Sequence, residues 1–158
     1  MRLSTKSLCL TAIIAALYAA ITLLFQAISF GAVQFRLSEA MTLLPVLLPQ
    51  AVPGLAIGCL LGNLVAGANL YDVIFGTLAT LLGAMATRRL RANAWLAALP
   101  PVIFNAVIVG LVLTYAYGVD ALWLNRLAVG AGEAVVCYAL GVPAVKLLEK
   151  RGLGSTPC

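Results

Sequence analysis

Seven polar residues stand in or beside long stretches of sequence that otherwise carry no charge: Arg36, Glu39, Asn63, Asp72, Asn105, Arg126 and Glu133. A carboxylate accepts two N–H groups side by side, a guanidinium donates in a fixed fork, and an amide does both. In apolar surroundings each is costly to keep, so each is a candidate for ligand contact. The most telling set is Arg126, Gly130, Glu133 and Cys137, which succeed one another at steps of four, three and four and so share one helix stripe. Two turns, about 10 Å, separate Arg126 from Glu133, and Gly130 and Gly132 leave room beside the glutamate. Asn105 falls halfway along the preceding apolar segment, at a similar depth. Asn63 and Asp72 bracket the junction of two further segments, while Arg36 and Glu39 come after the first. Together these residues could line a polar cavity closed on one side of a bundle and open on the other. The plainer alternative is structural: Arg36 paired with Asp72, Arg126 with Asp120, and asparagines bonding between helices. Glu133 and Asn105 favour ligand contact, whereas Asp120, Arg126 and Asn63 fit the structural role at least as well. Tyr71, Phe104, Tyr115 and Trp123 offer flat faces for stacking on a ring, although Trp95 and Trp123 also suit the ends of membrane spans.

Other chemistries are excluded by what the chain lacks. There is no GxxxxGK[ST] phosphate loop and no histidine, so neither the usual nucleotide site nor a Ser-His-Asp arrangement can form. Cys9, Cys59, Cys137 and Cys158 show no CxxC spacing, and Cys59 and Cys137 read as small apolar packing residues. No metal, no cofactor and no enzymatic activity are expected. The net charge of +5 does not mark a nucleic-acid surface, because the basic residues form short clusters between apolar stretches.

The elements that must hold the polar residues are set by composition. Of 158 residues 63% are hydrophobic and 9% charged, too apolar for a soluble domain of this length, which leaves about a third of its surface in water. The bilayer must be the solvent for much of the chain. The expected fold is an all-α integral membrane bundle of about six helices in a single domain spanning residues 1–158. The first span runs roughly from Leu8 to Ile28 and reads as a retained helix rather than a cleaved leader. Ser38 is a candidate N-cap for the next helix, with Glu39 in its first turn. The uncharged run Ala40–Tyr71 is broken by Pro45, Pro49 and Pro53. It divides into a short helix to about Leu48, a turn over Pro49–Pro53 and a second helix to about Ala66. Further spans cover Asp72–Thr87, Trp95–Tyr117 and Leu122–Leu148. Placing Arg2, Lys6, Arg88, Arg89, Arg91, Lys146, Lys150 and Arg151 in the cytoplasm satisfies the positive-inside rule and puts both termini inside. An even number of crossings results. Six spans, or four with a re-entrant hairpin over Ala40–Ala66, both satisfy it.

Two stripes of small residues bear on association. Alanines at 12, 15, 16, 19 and 20 form a smooth face on the first helix. It suits either a contact inside the bundle or a separate membrane subunit. Gly54, Gly58 and Gly62 repeat the small-xxx-small spacing and read as internal packing.

The ordered stretches Phe35-Arg-Leu-Ser-Glu-Ala-Met-Thr-Leu-Leu-Pro45, Pro53-Gly-Leu-Ala-Ile-Gly-Cys-Leu-Leu-Gly-Asn63, Asp72-Val-Ile-Phe-Gly-Thr-Leu-Ala-Thr80, Leu99-Pro-Pro-Val-Ile-Phe-Asn-Ala-Val-Ile-Val-Gly110 and Gly132-Glu-Ala-Val-Val-Cys-Tyr138 resemble the QueT family. The resemblance spans about residues 8 to 150. It implies an S component, the substrate-binding subunit of an energy-coupling factor transporter in a prokaryotic plasma membrane. Such a subunit captures a micronutrient from outside and works with a transmembrane coupling subunit of the EcfT type and two cytoplasmic ATPases. The implied docking contact maps onto Ala12, Ala16 and Ala20, and the implied cargo is a queuosine precursor, a 7-deazaguanine-type base or a related form. A guanine-like edge presents an N–H and an amino group together, which Glu133 or Glu39 could accept, with Asn105 or Asn63 meeting the carbonyl. A cationic aminomethyl form would want a second carboxylate, for which Asp72 is the candidate. The alternatives are another vitamin in the same architecture, or a stand-alone secondary transporter, which would typically show two matching repeats. No internal repeat is evident.

Overall fold

The structure, a computed structural model, describes residues 4–29, 35–116, 118 and 122–153. Among the described residues every regular element is helical. The long apolar run after Lys6 gives α1 (Thr5–Leu24), with a short α2 (Gln26–Ser29) at its end. Twenty residues at 1.5 Å each make α1 about 30 Å long, the thickness of a bilayer's hydrocarbon core. Among the described residues α1 is one of three uninterrupted helical stretches long and apolar enough to cross a membrane, with Ala94–Tyr115 and Leu122–Lys150.

The segment after the first connection is not an α-helix. Leu37–Val46 forms a 3-10 helix of ten residues. At about 2.0 Å per residue it stretches to about 20 Å, where an α-helix of the same length would reach about 15 Å. Its period of three also stacks side chains that an α-helix would fan apart. Arg36, just before it, and Glu39, Thr42 and Pro45 within it are all buried. Ser38 does not cap this rod, because its hydroxyl is spent on a contact with α1. Leu47–Gln50 then turns the chain into α3 (Ala51–Val65). Pro53 lies inside the first turn of α3 rather than in the turn before it, since a first-turn proline gives up no hydrogen bond a helix needs.

The chain continues through a π-helical turn at Asp72–Gly76 into α4 (Thr77–Arg89). A short α5 (Ala94–Ala97), capped by the Asn93 side chain, leads into α6 (Leu99–Tyr115). α7 (Leu122–Val135) passes through a second π-helical segment, Val136–Gly141, into α8 (Val142–Lys150). Side-chain bonds tie the ends of these elements together. Gln26 donates to the Ala66 carbonyl at 3.1 Å at one end of the bundle. At the other, Arg88 donates to the carbonyls of Pro45 (2.9 Å) and Val46 (3.1 Å), and Thr87 to that of Ala97 (2.8 Å). α1, the 3-10 rod, α3 and α4 therefore run alternately up and down.

The surface is apolar. Leu24, Val65, Leu70 and Leu127 are each about two-thirds exposed or more, an arrangement water would penalise and lipid does not. Polar groups lie inside. The closest packing is between α1 and α3. A Cβ on Gly58 would come within 2.7 Å of the Ala15 carbonyl oxygen and 2.8 Å of Tyr18 Cβ, and one on Gly54 within 2.9 Å of the Thr11 carbonyl oxygen. Gly62 is looser, 3.3 Å from Thr22. The glycine stripe is thus internal packing that seats α3 against the Ile14–Ala15–Tyr18–Thr22 face of α1. Gly58→Ala is expected to cost about 1–3 kcal/mol through overpacking. Thermal unfolding in detergent should rank the midpoints Gly62→Ala above Gly54→Ala above Gly58→Ala.

Candidate substrate-binding site

The centre of the site is the Glu39 carboxylate. It sits on the 3-10 rod with no exposed surface, so its charge must be met by protein groups. Two hydroxyls meet it. Tyr18 of α1 donates to Oε1, and Thr80 of α4 donates to the same oxygen at 3.0 Å. α1 and α4 therefore converge on one atom, and Thr80 also touches Cys59 Sγ at 3.4 Å, which links α3 to them. The second oxygen, Oε2, is buried and bonds to nothing among the described residues. The backbone around it is held as well. Thr42 donates to the Glu39 carbonyl at 2.5 Å, and Cys137 Sγ approaches that carbonyl at 3.7 Å.

Arg36, one 3-10 turn earlier, donates to Asn63 Oδ1 on α3. The Asn63 amide nitrogen donates in turn to the backbone carbonyl of Asp72 at 3.1 Å, so one asparagine joins the rod to the π-helical turn. Gly76 makes this possible. A Cβ there would lie 3.3 Å from Asn63 Nδ2. π-helical turns recur at functional sites because they displace one residue's worth of backbone and redirect its side chains. The second such segment begins three residues after Glu133, which is 2% exposed. Glu133 Oε2 is buried with no hydrogen-bond partner among the described residues, and so is Asn105 Nδ2 on α6.

The structure therefore links Arg36, Glu39, Asn63 and the backbone carbonyl of Asp72 through Cys59 and Thr80, and Glu133 stands one helical turn before Cys137, whose thiol meets the Glu39 carbonyl. Asn105 is 1% exposed on α6, the helix packed between α4 and α7. Buried polar atoms in native proteins are nearly always satisfied, and groups that are not call for an explanation. Two carboxylate oxygens and one amide N–H are among those left over here, and Gln50 Oε1 and Thr77 Oγ1 are also buried without a hydrogen bond among the described residues. The two carboxylates and the amide could accept two donors and meet one carbonyl. Among the described residues no group of three or more His, Cys, Asp or Glu side chains could hold a metal ion.

Several features were not visible in the sequence. Tyr18, Thr80 and Thr42 are indistinguishable there from ordinary residues of apolar helices. The one usable signal for Tyr18 is a polar-tipped aromatic midway along a span, away from the interfaces that aromatics favour. Cys59 and Cys137 are buried packing residues, as expected, and also line the polar cluster. The aromatic walls lie elsewhere. Phe104 packs into an apolar cluster with Ala79, Val109, Leu113 and Val129, and Trp123 is 74% exposed beneath the Arg126 guanidinium. Tyr71 and Tyr115 border an apolar groove of about 560 Å³ between the first π-helical turn, α4 and α6. None of the polar cluster lines that groove. Asp120, the expected partner of Arg126, lies outside the described residues.

Asn63→Leu would remove an acceptor from Arg36 and a donor from the Asp72 carbonyl. It should cost about 2–4 kcal/mol, read as a lowered unfolding midpoint in detergent. Asn63→Asp, which keeps the acceptor, should cost less.

Comparison with curated proteins and with solved structures gives no match. The family described as QueT transporter matches residues 8–150, nearly the whole chain and every residue of the polar cluster. A bundle with an apolar surface, helices long enough to cross a bilayer and a polar centre is what a transporter requires, and this chain belongs to the QueT transporter family.

Proposed function

We propose that this chain is the substrate-capturing S component of an energy-coupling factor importer and that its cargo is a queuosine precursor of the 7-deazaguanine type. The observation that carries the reading is that Glu39 Oε2, Glu133 Oε2 and Asn105 Nδ2 are among the buried side-chain atoms with no hydrogen-bond partner in the described residues. A guanine-like edge supplies an N–H and an amino group to carboxylate oxygens and a carbonyl to an amide donor. That is the complement of what is left over. A cationic side arm would find its counter-charge in the Glu39–Glu133 pair, with Asp72 next to it through Asn63. Arg36 holds the arrangement together electrostatically while Asn63 fixes its orientation.

In this reading the chain crosses the membrane six times, with the 3-10 rod and α3 as the second and third passes and both termini in the cytoplasm. Lys6, Arg88, Arg89, Arg91, Lys146, Lys150 and Arg151 then face one side, as the positive-inside rule favours. ATP is hydrolysed by two partner ATPases, and a transmembrane coupling subunit of the EcfT type docks on α1. Support for that contact comes from the two faces of α1. Ile14, Ala15, Tyr18 and Thr22 are buried against the bundle, while Ala12, Ala16 and Ala20 are exposed. Exposed small residues at four-residue spacing let a second helix approach closely in lipid.

Calorimetry on the purified protein in detergent, with 7-deazaguanine bases and common vitamins as ligands, tests the cargo. One deazaguanine should bind saturably. Glu133→Gln and Asn105→Ala should each weaken it about tenfold to a hundredfold, the range of one lost hydrogen bond to a charged or buried group. Tight binding of a different vitamin would replace the cargo, and uptake by the chain alone into liposomes without ATP would replace the importer with a secondary transporter. Ala16→Trp should leave cargo affinity unchanged and abolish co-purification with the coupling subunit. Retained co-purification would remove α1 as the docking helix.

A further inference from the structure

Among the described residues α1 reaches the 3-10 rod through two polar side chains, one helical turn apart. Tyr18 donates its hydroxyl to Glu39 Oε1, and Thr22 Oγ1 lies 2.7 Å from Ser38 Oγ. Successive residues of the rod are thereby fixed by successive turns of one helix. Thr22 is itself anchored, with its hydroxyl also 2.9 Å from the Tyr18 carbonyl. All four side chains are completely buried. Water cannot stand in for either partner, and a bond lost here is not replaced.

The consequence lies at the carboxylate. Tyr18 and Thr80 approach Glu39 from two different helices and both bond Oε1. A carboxylate held twice through one oxygen has its rotation fixed, and the second oxygen then points in one direction only. Oε2 is the atom left without a partner. We propose that Tyr18 is a positioning residue: its hydroxyl sets the orientation of Glu39 Oε2 for cargo and makes the seating of α1 a determinant of cargo affinity. This rests on the reading of the buried cluster as a cargo site. It assigns Tyr18 no contact with cargo. Because the exposed alanines and Tyr18 stand on opposite faces of the same helix, a displacement of α1 by a partner would reach Oε1 of Glu39 through that hydroxyl.

Tyr18→Phe removes one oxygen and leaves the rest of the side chain, including the Cβ that faces Gly58. The experiment combines hydrogen–deuterium exchange of ligand-free protein in nanodiscs with calorimetric affinity for the deazaguanine, or for whichever vitamin binds. Tyr18→Phe should raise amide exchange over residues 37–46 and weaken binding about fivefold to tenfold. In the Glu39→Gln background the same change should have little further effect on affinity, since the coupled partner is already altered. Thr80→Val should reproduce the affinity loss from the other side of Oε1. A merely structural tyrosine would lower the unfolding midpoint and leave affinity, or its dependence on Glu39, untouched; that result overturns the proposal. Unchanged exchange over the rod overturns it as well, whatever the chain binds. If the wild type binds no ligand while exchange still rises in Tyr18→Phe, the cargo-site reading fails, and only the mechanical tie between α1 and the rod stands.

Discussion

A carboxylate inside a bundle that faces lipid has nowhere to find water, and most of this structure can be read as the solution to that problem for Glu39. Moving an ion of that size into a medium of low dielectric costs several kcal/mol even after relaxation. The chain answers with two hydroxyls on Oε1, a threonine and a cysteine on the backbone carbonyl, and a guanidinium one 3-10 turn away. The donors come from α1, α4 and the second π-helical segment as well as the rod itself. Those from α1 and α4 meet the carboxylate itself, and the other two hold its backbone.

The irregular backbone has its origin in the same requirement. An α-helix over residues 36–45 would rotate Arg36, Glu39 and Thr42 away from one another by about 60° at each step of three. The 3-10 rod keeps them in one row. The π-helical turns work in the other direction, widening the backbone where the rod's row meets α3 and α7. Gly141 lets the second of them lie against the rod, with the Ala40 carbonyl oxygen only 3.0 Å from where a Cβ would stand. The regular helices are left to do the spanning, and the departures from them cluster around the charges.

How much of this could be read in the sequence divides along physical lines. Helix boundaries were legible within a few residues because lipid demands long apolar runs and charges end them. The glycine stripe was legible as internal packing because three glycines at four-residue spacing match a helix face. The polar residues themselves were legible as a group, since an asparagine or glutamate deep in such a run is expensive whatever its role. What could not be read was the pairing. Ser38 looks like an N-cap in sequence, yet its hydroxyl meets Thr22 across the bundle. Tyr71 and Tyr115 look like ring-stacking walls, yet they border an outward groove. Neither outcome depends on residue type alone, because each turns on which element packs opposite the side chain. No residue-type preference announces the 3-10 or π segments.

On the importer reading the chain reorients in the bilayer as a unit and must meet two opposed demands, which the two faces of α1 would satisfy. Its inner face needs to hold the bundle rigid, so that a polar interior is never opened to lipid. Backbone-close packing on Gly54 and Gly58 and two buried hydroxyl bonds supply that. Its outer face needs to be gripped and released, which calls for shape without strong polarity. Alanines at 12, 16 and 20 offer a smooth surface whose contacts are dispersion alone, modest for each atom and easily exchanged for lipid. Had the polar residues been placed outward, the partner contact would be tight and slow to break. Had the alanines been placed inward, Glu39 would lose the hydroxyl that solvates it. On the importer reading, the division of α1 into a bonded face and a bare one is what allows a partner to move the subunit without dismantling its site.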